Sequence, residues 1–222
     1  MLGTSIASPY WVYLKLVIME AHHVLLLLTG AFCVGACPFS LWVGQHLLKK
    51  DIRNYGDGNP GAVNVFRAGG RKSGGLAVLL DVGKGTPFVI LAHSLFSLSG
   101  IALGLIGLSA ILGSAFSPLL RFRGGKSIAV TYGVLLALPY HEMVLAFAVF
   151  MLLGFLFIKE HSWIVMMGPT GAVAFLAITR ASYWQVLFML SVLAILAIKH
   201  RSDLRVAPKF ELKLVNWLHS KI

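Results

Sequence analysis

The sequence predicts an all-α protein, a polytopic bundle of about seven membrane-spanning helices. Of its 222 residues, 58% are hydrophobic and only 12% are charged, which is more apolar surface than a soluble core of this size can bury. Apolar runs that match the ~30 Å hydrocarbon core of a bilayer recur along the chain. Most of the 19 Lys and Arg residues cluster between these runs or at their ends, as in multi-pass membrane proteins.

The apolar runs predict crossings at residues 23–48, 74–96, 100–119, 126–138, 142–158, 163–179 and 183–199. A crossing needs about 20 apolar helical residues. The fourth run has only about 13 residues and rises about 20 Å as a helix. Its helix must therefore begin below the surface or be extended by a neighbour, and six or eight crossings remain open.

The distribution of cations predicts the orientation. With the N-terminus outside and the C-terminus in the cytoplasm, most cations face the cytoplasm, which is a strong positive-inside bias. The net charge of +11 is then explained mainly by topology and by contact with anionic membrane lipid, and no nucleic-acid partner is implied. The cytoplasmic cations are Lys49, Lys50, Arg53, Arg67, Arg71, Lys72, Arg121, Arg123, Lys126, Lys159, Lys199, Arg201, Arg205, Lys209, Lys213 and Lys221.

We expect one domain, residues 1–222, with an interfacial N-terminal segment (1–22), a core (23–205) and a cytoplasmic tail (206–222). The first segment lacks the charged start and small-residue exit of a cleaved signal. Cys33 and Cys37 lie one helical turn apart and are expected to be reduced and packed. No metal site or cofactor is predicted.

The loop "RNYGDGNPGAVNVFRAGG", Arg53 to Gly70, is predicted to bind an anion. Glycines at 56, 58 and 61 allow backbone N–H groups to converge, and Arg67 would close the other side. As a glycine loop alone, the signal has low specificity. The residues that we assign to this site are Asp57, Gly58, Asn59, Gly61, Asn64 and Arg67.

A second loop, "RFRGGKS" at Arg121–Ser127, runs directly into an apolar helix. Gly124, Gly125 and the first N–H groups of that helix would face an anion together with Lys126. The loop is not a nucleotide P-loop, because position 120 is Leu where that motif needs Gly, and no strand precedes it. Phosphate is therefore a candidate ligand, whereas ATP is not.

Three further polar groups occur. Asp81 and Lys84 share a helical face inside the second run and are expected to pair; the pair is either a clip between helices or a cation holder beside the substrate, and both interpretations stay open. "KHRSDLR", from Lys199, is either a lipid-facing anchor or a further wall of an anion site. "KEHS", from Lys159, carries little information alone.

Under this topology the two loops and the segments "KHRSDLR" and "KEHS" meet at the cytoplasmic interface. The Asp81–Lys84 pair lies about two helical turns below it. The helices could thus surround one basic pocket that is open to both cytosol and lipid. Such a pocket suits a substrate with a phosphate head and an acyl tail.

The segments "GACPFSLWVGQHL", "NYGDGNPGAVNVFRAGG", "LLDVGKG", "FSPLLRFRGGKSIAVTYG" and "KHRSDLR" carry a resemblance. Over residues 31–205 the chain resembles the bacterial acyl-phosphate:glycerol-3-phosphate acyltransferases. This resemblance implies acyl transfer from acyl phosphate to the 1-hydroxyl of glycerol 3-phosphate, giving lysophosphatidic acid and phosphate for phospholipid synthesis at the inner leaflet of the cell membrane. It also implies no metal and no acyl-CoA.

The resemblance assigns the two loops to the family's phosphate sites, and Ser162 and His200 to positions that line its substrate pocket. We choose Arg67 and Lys126 as the cations that neutralise the phosphates. Asp57 either braces these cations or acts as a base, Lys84 joins the substrate-binding set, and Asp81 is structural. The substrate phosphate itself could accept the hydroxyl proton.

The chain also departs from the family pattern. Relatives often have serine at position 57, histidine at 114 and asparagine at 203, where this chain has Asp57, Ser114 and Asp203. A paralogue with altered acceptor specificity therefore remains open.

Two other functions are considered. "HLLKKD", His46 to Asp51, fits a His-x4-Asp acyltransferase string, but its two side chains lie about 140° apart on a helix. An organic-phosphate transporter could also use basic loops, although no repeated half is evident and the polar groups gather at one face.

Overall fold

The structure is a computed structural model that describes residues 9–210, with side chains described from residue 21 onward. The predicted interfacial segment and cytoplasmic tail therefore lie partly outside the described residues. Ten α-helices lie within the described range: α1 (Pro9–Ala36), α2 (Phe39–Leu47), α3 (Ala62–Arg67), α4 (Arg71–Gly83), α5 (Pro87–Ser94), α6 (Ile101–Ala115), α7 (Ile128–Ala137), α8 (His141–Phe157), α9 (His161–Ile178) and α10 (Tyr183–His200).

The all-α prediction is confirmed over the described residues. Five helical segments there are long and apolar enough to cross a membrane: Ala21–Leu47, Arg71–Ser94, Ile101–Leu120, His161–Ile178 and Tyr183–His200. Two shorter apolar helices, α7 and α8, occupy the predicted fourth and fifth crossings. The ten residues of α7 rise about 15 Å, about half of a bilayer core. The number of crossings and the orientation stay predictions.

Two of the predicted crossings are interrupted helices. Pro38 separates α1 from α2, and proline disfavours a helical conformation in the residue before it and lacks a backbone N–H. Pro87 opens α5 directly after the Gly85–Thr86 break that ends α4, a position that suits proline because its missing N–H is not needed there. Both breaks lie beside the candidate site.

Small residues let the central helices approach closely. A Cβ atom at Gly35 of α1 would clash with the carbonyl of Ala110 on α6, and one at Gly113 of α6 would clash with the carbonyl of Phe32 on α1. Close contact through small residues is typical of membrane helices, where apolar burial adds little because lipid is equally apolar. Glycine at these two positions therefore lets the backbones of α1 and α6 pack in direct contact.

The buried residues form two clusters. The larger one joins α1 and α5–α10 and includes the fully buried side chain of Phe147. The smaller one joins α2, α3 and α4 around Ile52 and Val65 and lies under the first glycine-rich loop. Outside these clusters, apolar side chains such as Leu79 (68% exposed) and Leu145 (62%) face outward, as expected of a surface in contact with lipid.

Candidate functional site

Asn64 organises the first loop. This side chain lies on α3, is 1% exposed and uses both ends of its amide. Its Nδ2 atom donates to Asp57 Oδ1 at 2.9 Å and to the Asn59 carbonyl at 2.8 Å, while its Oδ1 accepts from Arg67 Nη1 at 3.2 Å. A buried amide with these partners holds the loop in one conformation. It also links the predicted cation Arg67 to the predicted carboxylate Asp57.

Three backbone amides of this loop are already hydrogen-bonded within it, which leaves fewer free amides than the glycine spacing predicted. Gly58 N donates to the Tyr55 carbonyl at 3.1 Å, and Gly61 N donates to the Asn59 carbonyl at 2.8 Å. Asn59 N donates to Asp57 Oδ1 at 3.2 Å. The glycines instead allow tight turns, with positive φ at Gly56 (59°) and Gly58 (71°). These three amides are therefore not free to contact an anion in this conformation.

The second loop is pressed against the end of α6. A Cβ atom at Gly124 would clash with the Ser114 carbonyl, and Gly125 N donates to that carbonyl at 3.1 Å. Lys199 Nζ donates to the carbonyls of Ala115 and Gly124 at 2.8 and 2.9 Å. The expectation that the Gly125 amide faces an anion is therefore wrong, because that amide already has a partner.

Lys126 lies between two carboxylates. Its Nζ atom is 2.7 Å from Asp57 Oδ2 and 2.7 Å from Asp203 Oδ2, and Ser162 Oγ donates to the same Asp203 oxygen at 3.2 Å. One ammonium group thus joins the first loop to the segment after α10. An ammonium group has three N–H donors, so the two carboxylates account for two of the three donors of Lys126.

The two carboxylates remain ionised near neutral pH. Burial would raise the pKa of Asp57, but hydrogen bonds from Lys126, Asn64 and the Asn59 amide outweigh it and lower the pKa to about 2. The hydrogen bond from Lys126 lowers the pKa of Asp203. Burial would lower the pKa of Lys126, but its bonds to both carboxylates raise it. A carboxylate with so low a pKa is a poor proton acceptor, which favours bracing over base chemistry for Asp57.

A strap of backbone after α10 brings Asp203 to this position. The Lys159 N–H donates to the Lys209 carbonyl at 3.1 Å, and Lys209 N donates to Glu160 Oε2 at 2.6 Å. Trp163 Nε1 donates to the Val206 carbonyl at 2.7 Å. The strap, residues 203–210, is thereby fixed to the start of α9, and this arrangement supports the interpretation of "KHRSDLR" as a further wall of the site.

Two cavities meet at Lys126. A largely apolar cavity of about 490 Å³ extends along α7 and α4, and a polar cavity of about 430 Å³ lies between the first loop, the second loop and the end of α10. Asn59, Pro60 and Lys126 line both. The polar cavity is also lined by the cations Arg123, Lys199 and Arg201 and by the carboxylates Asp57 and Asp203. A ligand with an anionic head and an apolar tail fits this pair of cavities.

The predicted Asp81–Lys84 pair is present. Lys84 Nζ lies 3.0 Å from Asp81 Oδ1 and donates to the Cys37 carbonyl at 3.0 Å, while Ser40 Oγ donates to the other Asp81 oxygen. Through these contacts the pair connects the end of α4 to the segment where α1 and α2 are interrupted. Both side chains also line the apolar cavity, so the geometry is compatible with both open interpretations.

The structure brings most predicted site residues together, but not all of them form the cavity walls. Arg67, Asn64, Ser162 and His200 are absent from the lining of the two cavities. Ser162 acts through Asp203. The cavity-lining members of the predicted set are Asp57, Gly58, Asn59, Gly61, Asp81, Lys84, Gly124, Gly125 and Lys126.

His200 departs from its expected place in the pocket wall. Its ring is fully buried, with Nδ1 2.8 Å from the Leu196 carbonyl and with no hydrogen-bond partner for Nε2 among the described residues. The ring interacts electrostatically with Lys126 and Asp203. It therefore lies in the neighbourhood of these two charged groups but outside the lining of both cavities.

Sequence reasoning missed His161, which lines the apolar cavity and interacts electrostatically with Lys126 and Arg67. The quoted "KEHS" segment contains it, so the signal was present. It also missed the contribution of Asp203, which had been noted only as a departure. No local pattern pairs Asp203 with Lys126, since 77 residues separate them.

Comparisons with known proteins find relatives over most of the chain. A family model described as "Glycerol-3-phosphate acyltransferase" matches residues 25–207. The glycerol-3-phosphate acyltransferase of Listeria monocytogenes serotype 4a is 31% identical over 206 residues, covering 88% of this chain and 98% of that protein. The Lactococcus lactis subsp. lactis protein of the same description is 37% identical over 134 residues, covering 60% of this chain and 62% of that protein.

A solved structure is similar as well. The crystal structure of PlsY (YgiH), an integral membrane glycerol 3-phosphate acyltransferase in its glycerol 3-phosphate form, superposes with a TM-score of 0.74 at 28% identity. The match covers 82% of this chain and 90% of that chain. The likeness therefore extends over most of both folds.

Proposed function

The chain belongs to the glycerol-3-phosphate acyltransferase family, and we propose that it acylates the 1-hydroxyl of glycerol 3-phosphate with acyl phosphate as the donor. Family membership supplies the acyl transfer to glycerol 3-phosphate, and it sets aside the transporter alternative. The donor, the residue roles and the cytoplasmic placement are our proposals. The observation that carries them is the position of Lys126, which lies where the polar and apolar cavities meet.

The chemistry needs positioning and charge more than a nucleophile on the protein. Acyl phosphate is an activated mixed anhydride. The glycerol hydroxyl oxygen attacks the acyl carbonyl carbon, the bond from that carbon to the phosphate oxygen breaks, and the hydroxyl proton passes to the departing phosphate. The products are lysophosphatidic acid and inorganic phosphate. Much of the rate enhancement then comes from binding both substrates with the hydroxyl oxygen close to the acyl carbonyl carbon.

Lys126 has the central role in this proposal. Its third N–H donor contacts the phosphate that develops charge as it leaves. Arg67 donates to Asn64 and lines neither cavity, so we assign it the role of holding the first loop in place rather than of contacting a phosphate. Asp57 and Asp203 hold the Lys126 ammonium at the junction of the cavities. The acyl chain lies along α7 in the apolar cavity, in contact with the membrane.

The cations support the proposed orientation. The polar cavity is lined by Arg123, Lys126, Lys199 and Arg201, and the positive-inside bias favours a cytoplasmic position for such loops. A water-soluble glycerol 3-phosphate would enter there, and the lipid-soluble donor would enter from the bilayer.

The test is a reaction with defined substrates. Purified protein in lipid vesicles is given acyl phosphate or acyl-CoA together with glycerol 3-phosphate, and mass spectrometry measures lysophosphatidic acid while a colorimetric assay measures phosphate. We expect equal amounts of both products from acyl phosphate. Product from acyl-CoA alone would refute the proposed donor, and acylation of a different hydroxyl compound would support the paralogue alternative.

A further inference from the structure

The apolar cavity follows one face of α7. Ile128, Tyr132 and Leu136 all line it, and residues spaced by four lie on the same side of a helix. From Lys126 to Leu136, ten residues of chain would rise about 15 Å if all were helical. The cavity thus begins at the proposed reaction centre and extends away from the basic loops along α7.

Three side chains form its far end. The Tyr132 hydroxyl donates to Met151 Sδ on α8 at 3.5 Å, and the Tyr132 ring packs edge-on against the buried ring of Phe147 at 5.0 Å between centroids. Met151 and Phe147 are four residues apart on α8, so Tyr132 is held against one face of that helix. Leu136 lies one turn beyond it and is 57% exposed, so it forms the outer edge of the same wall.

The sides of the cavity are open to the apolar surface of the protein. Val63 of α3 and Val78 of α4 both line it and are 55% and 39% exposed. An apolar rim of this kind admits a chain from lipid rather than from water. Continuity with the polar cavity through Lys126 identifies the occupant as the acyl chain whose carbonyl carbon reacts there.

We infer that Tyr132, Leu136 and Met151 form the end wall that limits the length of the acyl chain this protein transfers. The inference rests on the proposed acyl transfer and deepens it. An acyl chain of the right length ends against this wall while its carbonyl carbon lies at Lys126. A longer acyl chain displaces the carbonyl carbon from the reaction centre or must bend out past Leu136.

Two substitutions change the wall in opposite directions. Leu136→Trp adds bulk at the outer edge, and Met151→Ala removes most of the α8 side of the wall. Leu145→Trp is the matched control for the first, because Leu145 is a leucine of comparable exposure (62%) that lies outside the lining of the apolar cavity.

The experiment is a competition among saturated acyl phosphates of increasing chain length, with glycerol 3-phosphate as the acceptor and mass spectrometry to count each product. We expect Leu136→Trp to lower kcat/KM for the longest donors by about tenfold relative to the shortest, since a single methylene can decide discrimination of this size. Met151→Ala should shift the preference to longer donors, and Leu145→Trp should leave the profile of the wild type.

An unchanged length profile in both Leu136→Trp and Met151→Ala overturns the inference, and so does an equal loss for all lengths in Leu136→Trp. The outcome for the proposed donor is separate. If the wild-type protein uses only acyl-CoA, the donor proposal fails, and the same variants then test the wall with an acyl-CoA series.

Discussion

Replacement of Lys126 by Ala is the most direct test of the charge arrangement. With Asp57 and Asp203 both ionised and both 2.7 Å from its ammonium, the three groups carry a net charge of −1, and the substitution changes this to −2. The variant therefore loses a donor to the phosphate and also exposes two carboxylates to it. Both effects weaken the binding of the phosphate and reduce the stabilisation of the transition state.

The magnitude follows from these two terms. Loss of one donor to a developing oxyanion lowers kcat by about 10² to 10³, or about 3 to 4 kcal/mol. At an effective dielectric constant of about 20, a carboxylate about 4 Å from a phosphate charge adds repulsion of up to about 4 kcal/mol, which solvent reduces at a half-exposed site. We therefore expect Lys126→Ala to lower kcat/KM by at least about 10³, with a raised KM for glycerol 3-phosphate.

The assay is lysophosphatidic acid formation in vesicles, with Lys72→Ala as the control because Lys72 is an exposed lysine on the first turn of α4. The double variant Lys126→Ala, Asp203→Asn removes one of the unpaired carboxylates. It should recover about tenfold of the activity lost by the single variant. The reasoning is refuted if Lys126→Ala retains the activity of the control, or if the double variant is no more active than the single one.

Three further predictions concern the loops. Asp57→Asn should raise KM more than it lowers kcat, and a selective loss of kcat would indicate base chemistry. The activity of the wild type should show no titration of Asp57 between pH 4 and neutrality, because the pKa of Asp57 in the folded protein is about 2, below its ordinary value of 3.8. The stabilising contribution of Asp57 is therefore complete above pH 3.8 and is lost as the pH falls through about 2. Gly124→Ala should reduce the free energy of unfolding by about 1 to 3 kcal/mol, because its Cβ atom would clash with the Ser114 carbonyl. Gly125→Ala should fold normally, because the atom nearest to its Cβ would be Asn59 Oδ1 at 3.9 Å. A cysteine at position 72, in a chain without the native cysteines, should resist impermeant reagents applied outside intact cells, and ready labelling would reverse the proposed topology.

The features that sequence predicted well are local. Apolar runs place the helices because backbone hydrogen bonding in lipid must be satisfied within each segment. The Asp81–Lys84 pair follows from three-residue spacing on a helix, and its burial is forced by the surrounding apolar residues. The helix breaks at Pro38 and Pro87 have equally local causes, although the apolar runs alone gave continuous crossings.

The features that it missed depend on packing between distant segments. Glycine spacing suggested free amides, but whether an amide is free depends on which carbonyl lies opposite, and the Ser114 carbonyl that accepts from Gly125 belongs to another helix. The burial of His200 likewise results from the packing of several helices around α10. The sequence thus identified the residues of the site better than it identified their hydrogen-bond partners.

If the proposed mechanism holds, the carboxylates around Lys126 would also limit how tightly the site holds a phosphate. A lysine facing an empty basic cavity would bind inorganic phosphate, a product, as readily as the substrates. Here Asp57 and Asp203 compete for the same ammonium, so each bound phosphate gains only the difference between its own contact and the carboxylate contacts that it weakens. Under the proposed mechanism, inorganic phosphate would leave this lysine more easily than one without carboxylate partners, because Asp57 and Asp203 already hold the ammonium group that the anion leaves.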